Sequence, residues 1–224
     1  MKKTFIIANW KSNETESEAK NWLQAINNSQ LAVDEGKKII VCPPFTLLPK
    51  VKEFFVNYQS SIAVGAQDIS PFGEGAYTGE VNGREIKEFA DYVIVGHSER
   101  RINFSESDEL VNKKIEQAYL QGIIPIVCVS SLDQVKNLKV DNSKTLIAYE
   151  PLFAIGSGTA DTPENADKMA SDVKNILGEI PILYGGSVTS GNVSSFSKMP
   201  NIDGVLIGKA SLEPSEFIKL SKNA

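Results

Sequence analysis

Eight short apolar runs with strand character recur along the chain, and most of the intervals between them carry a helical pattern. The runs cover residues 5–8, 39–41, 62–64, 92–94, 124–129, 146–149, 182–184 and 205–207. Strands that alternate with helices pair in parallel through right-handed crossovers, and eight such units close into a barrel. The alternation therefore predicts an α/β protein with a (β/α)8 barrel, formed by residues 1–224 as a single domain.

An open, doubly wound sheet is the alternative architecture. Such a sheet usually has fewer strands and a glycine-rich fingerprint after its first strand. Here the first strand ends in Asn9, Trp10 and Lys11, and the glycine pair at 156–158 follows the sixth strand and lacks a third glycine. The dinucleotide fold is therefore the weaker interpretation.

Local signals predict where two of the helices begin and end. Ser105 is expected to cap the start of one helix, and Gly122 to end it. Thr162 is expected to cap a second helix with Pro163 at its first position, and Gly178 to end it. A further helix is predicted from an amphipathic stripe at Ala19, Trp22, Leu23 and Ile26.

Composition excludes several classes of partner. The formal net charge of -5 leaves no basic footprint for nucleic acid, and no block of like charges indicates a membrane patch. The apolar run at residues 5–8 is too short for a signal peptide, so we expect a cytoplasmic protein. Cys42 and Cys128 each end an apolar run, which predicts buried, reduced thiols rather than a disulfide.

Polar residues and glycines cluster after the predicted strands, where a barrel keeps its active site. His97, the single histidine of the chain, directly follows the apolar stretch from Tyr92 to Val95 and Gly96. Each residue alone has a structural interpretation, since the histidine can cap a turn and a lysine or glutamate can pair at the surface. The residues concerned are Asn9, Lys11, His97, Glu99, Glu150, Gly185, Gly186, Ser187 and Gly208.

Together these residue types indicate proton abstraction next to a carbonyl group. Glycines after strands seven and eight let backbone N–H groups approach an anion, which predicts a small phosphorylated substrate. Lys11 supplies a positive charge, Glu150 a base, and His97 a polarising donor or proton carrier. No His, Cys and carboxylate cluster has metal-ligand spacing, so we expect neither a metal nor another cofactor at the site.

From end to end, the chain resembles the triosephosphate isomerase family. The segments that carry the resemblance are Asn9-Trp10-Lys11, Gly75-Ala76-Tyr77-Thr78-Gly79-Glu80, Gly96-His97-Ser98-Glu99-Arg100-Arg101, Ala148-Tyr149-Glu150-Pro151, Ala154-Ile155-Gly156-Ser157-Gly158 and Tyr184-Gly185-Gly186-Ser187-Val188. The resemblance implies interconversion of dihydroxyacetone phosphate and D-glyceraldehyde 3-phosphate through an enediolate, without a cofactor, in glycolysis and gluconeogenesis.

Catalytic roles also follow from this resemblance, because the family is a standard example of acid and base groups tuned by their surroundings. Glu150 corresponds to the base and His97 to a neutral imidazole that polarises the carbonyl, since the helical turn after it disfavours a cation. Lys11 would hold the anionic substrate, Asn9 would lie near the reacting oxygens, and Glu99 would pair with Lys11.

The resemblance further implies a mobile lid at residues 151–159 and a loop at residues 67–80 that inserts into a second subunit of a homodimer. Ser98 would orient Glu150 while the lid is open. Tyr184 and Ser187 would hold the closed lid, which excludes water. The lid residues singled out are Pro151, Phe153, Ile155, Gly156 and Gly158, with the Gly156 N–H closing on phosphate. Those of the dimer loop are Gln67, Tyr77, Thr78, Gly79 and Glu80, with Thr78 reaching the neighbour's site.

Five positions depart from the usual family pattern. Lys209 follows Gly208 where a second glycine is common; its N–H can still bind phosphate if its φ is negative, and its side chain either strengthens anion binding or points into solvent. Residues 130–131 replace a Gly-Glu pair and begin a short path to strand six, which predicts a reduced outer helix. Phe153 stands in place of a tryptophan, and Asp68 in place of a common asparagine.

Other functions fit these residues less well. An epimerase of sugar phosphates would share the phosphate glycines but would not need Lys11, His97 and Glu150 together. A barrel glycosidase could use Glu99 and Glu150 as a carboxylate pair. A noncatalytic phosphate-binding barrel should have lost at least one of the essential groups, and none is missing.

Overall fold

The computed structural model describes residues 3–29, 31 and 36–224, and its eight strands form a closed barrel. Each strand pairs in parallel with the next, and the eighth pairs with the first. The strands are β1 (Thr4–Asn9), β2 (Lys37–Cys42), β3 (Ala63–Ala66), β4 (Tyr92–Val95), β5 (Ile124–Val129), β6 (Leu146–Tyr149), β7 (Ile182–Tyr184) and β8 (Gly204–Ile207). The predicted (β/α)8 barrel is therefore confirmed, and the open-sheet alternative is wrong.

Nine α-helices of the described residues surround this barrel. They are α1 (Glu16–Asn28), α2 (Leu48–Asn57), α3 (Gly83–Lys87), α4 (Ser98–Asn103), α5 (Asp108–Leu120), α6 (Leu132–Asn137), α7 (Pro163–Leu177), α8 (Val193–Ser197) and α9 (Pro214–Asn223). Apolar side chains form two clusters, a larger one shared by strands and helices and a smaller one built almost entirely from strand residues such as Ile7, Ile40 and Ile126. Both clusters hold the strand ends at one face of the barrel.

Most of the local signals are confirmed. The stripe predicted on α1 is buried. Thr162 caps α7, accepting a hydrogen bond from the Asn165 N–H at 3.2 Å. Gly122 and Gly178 follow α5 and α7 in backbone conformations with positive φ, which glycine adopts without a Cβ penalty.

The predicted cap at Ser105 is wrong. Ser105 has a φ of 56°, whereas α5 begins at Asp108 and is capped by the Ser107 side chain. Between them, Glu106 is buried and paired with Arg100. Glu106 also pairs with Lys114 of α5, so residue 106 is held between α4 and α5 and the helix begins two residues further on.

The path from β5 to β6 is short, as predicted. It contains only the six-residue α6 and a single 3-10 turn at Asn142–Lys144. The Cys42 and Cys128 thiols are free and buried, as predicted, and burial raises the pKa of both. Within the described ranges, no helix has the length and apolar character needed to cross a membrane.

Candidate active site

A cavity of about 510 Å³ opens at the carboxyl ends of the strands. It brings together residues that lie after β1, β4, β6, β7 and β8, as the barrel topology requires. The predicted site residues that line it are Asn9, Lys11, His97, Glu150, Ile155, Gly156, Gly158, Ser187, Gly208 and Lys209. The predicted site residues that do not line the cavity are Ser98, Glu99, Pro151, Phe153, Tyr184 and the five residues of the predicted dimer loop.

His97 and Glu150 are in direct contact at the floor of the cavity. The His97 Nε2 lies 2.8 Å from the Glu150 Oε1, and the side chains are 7% and 1% exposed. The backbone N–H of Ser98 donates to the other oxygen, Oε2, at 2.8 Å. Ser98 thus orients the glutamate, through its backbone amide.

The surroundings of Glu150 favour its ionised form. Burial by itself raises the pKa of this carboxyl. The neighbouring imidazole and the Ser98 amide together lower the pKa by more than burial raises it, so the net pKa lies below the ordinary value. Glu150 therefore carries a negative charge at neutral pH while both partners are in place.

The position of His97 at the start of α4 indicates its tautomer. Its Nδ1 accepts a hydrogen bond from the backbone N–H of Glu99 at 3.2 Å. A ring nitrogen that accepts carries no proton, so we assign the proton to Nε2, which then donates to Glu150. His97 therefore caps the start of α4 and also contacts Glu150 at the cavity, and its role as a neutral donor stays a prediction.

Lys11 adopts a strained backbone conformation, with a φ of 53°. Its N–H donates to the Asn9 side chain at 3.0 Å, and its carbonyl accepts from the Gln67 amide at 2.8 Å. The Lys11 ammonium forms the predicted ion pair with Glu99. A Cβ at Gly208 would lie 3.1 Å from the Lys11 Cε, so the ammonium lies against the turn after β8.

Gln67 has a role that the sequence interpretation missed. It was assigned to the dimer loop, yet its amide also donates to the Cys42 carbonyl at 2.9 Å and so joins the ends of β1 and β2. The next residue, Asp68, binds Lys114 at 2.7 Å and Arg100 at 2.9 Å. No local pattern signals these contacts, because the partners lie far apart in sequence.

The glycines after β7 also have a packing reason that the sequence did not reveal. A Cβ at Gly185 would lie 3.0 Å from the Glu150 Cγ, and one at Gly186 would lie 2.1 Å from the Tyr184 hydroxyl oxygen. Both positions therefore need glycine for close contact within the chain, in addition to any approach to a ligand.

Two contacts fasten the 151–159 segment to the barrel. The Ser187 hydroxyl donates to the Ala154 carbonyl at 2.7 Å, and the Asp161 N–H, just beyond the segment, donates to the Tyr184 hydroxyl oxygen at 2.8 Å. Burial raises the pKa of Tyr184 to about 12, so this hydroxyl stays neutral. By contrast, Phe153 is 63% exposed and is not buried against the barrel.

The wall formed by the turns after β7 and β8 has backbone donors available. Within the described chain, the N–H groups of Gly186, Ser187 and Lys209 have no acceptor. Lys209 is absent from the described non-glycine residues with positive φ, so its backbone is not strained. Unpaired N–H groups around a cavity make a binding place for an anion.

The outer part of the 67–80 loop does not line the cavity of its own chain. Residues 72–80 are exposed, and Thr78 is not among the lining residues. Phe72 and Tyr77 stack on each other with ring centroids 4.3 Å apart, and each is more than 40% exposed.

Barrel and site together define a (β/α)8-barrel enzyme of the acid–base class. The model of the family described as triosephosphate isomerase matches residues 4–224. The chain is 38% identical to the triosephosphate isomerase of a Synechococcus species over 98% of this chain and 96% of that protein. It is 40% identical to that of Endomicrobium trichonymphae over 99% of each chain, and 38% identical to one from Dehalococcoides mccartyi over 100% of this chain and 97% of that one. The chain therefore belongs to the triosephosphate isomerase family.

Proposed function

We propose that this protein interconverts dihydroxyacetone phosphate and D-glyceraldehyde 3-phosphate, in glycolysis and gluconeogenesis. The observation that carries the proposal is the contact between Glu150 and His97 in a cavity that Lys11 also lines. A buried base, a neutral donor and a cation are the groups that proton transfer beside a carbonyl requires. Family membership supports the same reaction.

Glu150 would remove the proton from the carbon next to the carbonyl and return it to the neighbouring carbon. The His97 Nε2–H would donate to the carbonyl oxygen as negative charge develops there, and Lys11 would stabilise that charge. Asn9 fixes the Lys11 backbone, and Glu99 pairs with its ammonium. His97 would pass the proton from the hydroxyl oxygen of the resulting enediolate to the former carbonyl oxygen, and Glu150 would return the abstracted proton to the other carbon to give the product.

The carboxylate must leave its present partners before it can act. In the described conformation, Ser98 and His97 both bind Glu150 and lower its pKa. Release from them raises the basicity of the carboxylate at the moment it meets the substrate. We propose that closure of the 151–159 lid accompanies this release and excludes water from the enediolate.

The substrate phosphate would bind at the wall formed by Gly186, Ser187, Gly208 and Lys209. Unpaired backbone N–H groups at this wall support the assignment. The Gly156 N–H, on the lid side of the same cavity, would close on the phosphate when the lid shuts.

We propose that the 67–80 loop mediates self-association. Its exposed aromatic stack would insert into a second copy of the chain. Thr78 would then reach the neighbour's cavity. We propose a cytoplasmic homodimer in which residues 1–224 act as one domain, without partners among nucleic acids or membranes.

A coupled assay of glyceraldehyde 3-phosphate formation tests the reaction. The native chain should be active, and Glu150→Ala should lose about a hundredfold to ten-thousandfold in kcat. Glu164→Ala is the matched control, because that carboxylate is exposed at the start of α7. An inactive native chain that still binds inorganic phosphate would favour the noncatalytic barrel instead, and equal activity of native and Glu150→Ala would remove the glutamate from the mechanism.

A further inference from the structure

Lys209 occupies an unusual place at the mouth of the cavity. It follows Gly208 and opens the 3-10 turn at Lys209–Ser211, directly after β8. The residue lines the same cavity as Lys11 and Glu150, while its side chain remains open to solvent. A ligand that enters the cavity therefore comes close to this residue.

The other charged side chains that line the cavity already have partners. Lys11 is paired with Glu99, and Glu150 binds His97 and the Ser98 amide. Glu216 accepts hydrogen bonds from the backbone and hydroxyl of Ser190. Among the described residues that line the cavity, Lys209 is the cation without an ion pair.

The backbone N–H of Lys209 belongs to the turn that forms the same wall. That N–H and those of Gly186 and Ser187 have no acceptor within the described chain. Lys209 and the N–H donors at this wall therefore have no partner within the described chain, a combination that favours binding of an anion, and the neighbouring Glu216 carboxylate limits the net positive charge there.

We propose that Lys209 is a specificity-determining residue whose ammonium selects the dianionic form of the substrate phosphate at the cavity mouth. The proposal rests on the phosphate-ester substrate proposed above. The attraction between a lysine and a dianion is about twice that for a monoanion at the same distance. At an exposed position we expect the lysine charge to strengthen binding of a dianion by roughly threefold to tenfold, an effect that salt reduces.

Lys209→Met tests the proposal, because methionine keeps the backbone N–H and removes only the charge. Its matched control is Lys168→Met, which removes an exposed lysine of α7 that does not line the cavity. Two competitive inhibitors serve as probes, inorganic sulfate as a dianion and methyl sulfate as a monoanion. At low salt, Lys209→Met should weaken sulfate roughly threefold to tenfold and methyl sulfate by about the square root of that factor.

Steady-state kinetics then separate binding from chemistry. Lys209→Met should raise KM by a factor similar to that for sulfate, with a much smaller change in kcat, and Lys209→Arg should restore KM. High salt should reduce the difference in KM between Lys209→Met and the native protein, because salt screens the lysine charge.

Equal KM and sulfate inhibition in the two methionine variants would overturn the proposal, as would equal weakening of sulfate and methyl sulfate. Titration of sulfate by calorimetry repeats the comparison without catalysis. An inactive native chain would therefore refute the proposed function while leaving the Lys209 proposal open to its own test.

Discussion

Two walls of the cavity differ in how completely their polar groups are paired. The acid–base wall, formed by Lys11, His97, Glu99 and Glu150, has contacts within the chain for each of its charges. The anion wall, formed by the turns after β7 and β8, has unpaired N–H groups and an unpaired ammonium at Lys209.

This difference indicates what each wall must do without substrate. In the proposed reaction the groups of the acid–base wall have to meet the substrate at a defined distance, and contacts within the chain hold them in place in advance. The anion wall gains its partner only when a ligand arrives, so its donors stay uncompensated until then. Buried contacts on one side and open donors on the other therefore correspond to preorganised chemistry and waiting binding groups.

The largest effect should come from breaking the acid–base wall at His97. We expect His97→Gln to lower kcat about a hundredfold to ten-thousandfold, because the donor to the developing oxyanion loses its position. Its effect on sulfate inhibition should be small, since sulfate binds at the other wall. Steady-state rates with and without sulfate measure kcat and the affinity for sulfate. Comparable losses of kcat and of sulfate affinity would mean that the two walls do not act separately.

Glycine substitutions compare the barrel frame with the lid. A Cβ at Gly204 would lie 2.1 Å from the Phe5 carbonyl oxygen, whereas one at Gly156 would meet no atom within 4 Å. Gly204→Ala should therefore lower the free energy of unfolding by about 3 kcal/mol or more, through overpacking against β1. Gly156→Ala should cost only about 1 kcal/mol, from its φ of 68°.

Chemical denaturation of the two glycine variants measures these costs. Similar losses of stability in both would contradict the view that the lid lies outside the packed frame. A loss of activity in Gly156→Ala that exceeds its loss of stability would, by contrast, agree with a lid that must move.

The smallest effect should come from the contact between Ser187 and the lid. Ser187→Ala removes one hydrogen bond to the Ala154 carbonyl, worth about 1 kcal/mol. Amide hydrogen exchange in residues 151–159 should then be about fivefold faster. Ser195→Ala is the matched control, because it removes a similar bond from α8 to the Asn192 carbonyl. Equal exchange rates of residues 151–159 in both variants would mean that Ser187 does not fasten the lid.

Much of the site could be predicted because its parts are local signals at strand ends. Asn9, His97 and Glu150 each follow an apolar run, and barrel closure brings such positions to one face whatever their separation in sequence. The structure places all three on the cavity. The predicted helix start at Ser105 is wrong for the opposite reason, since the contacts of the buried Glu106 carboxylate with Arg100 and Lys114 are tertiary and have no local signal.

By itself, the sequence determined the alternation of strands and helices, the barrel, and which residue types lie at its carboxyl face, because hydrophobic period and turn chemistry are properties of neighbouring residues. Tertiary structure decided how those residues are held. Gln67 supports the strained Lys11 across 56 positions, and Ser98 orients Glu150 across 52. Such contacts depend on how strands pair and helices pack, and no local pattern encodes a distance between residues so far apart.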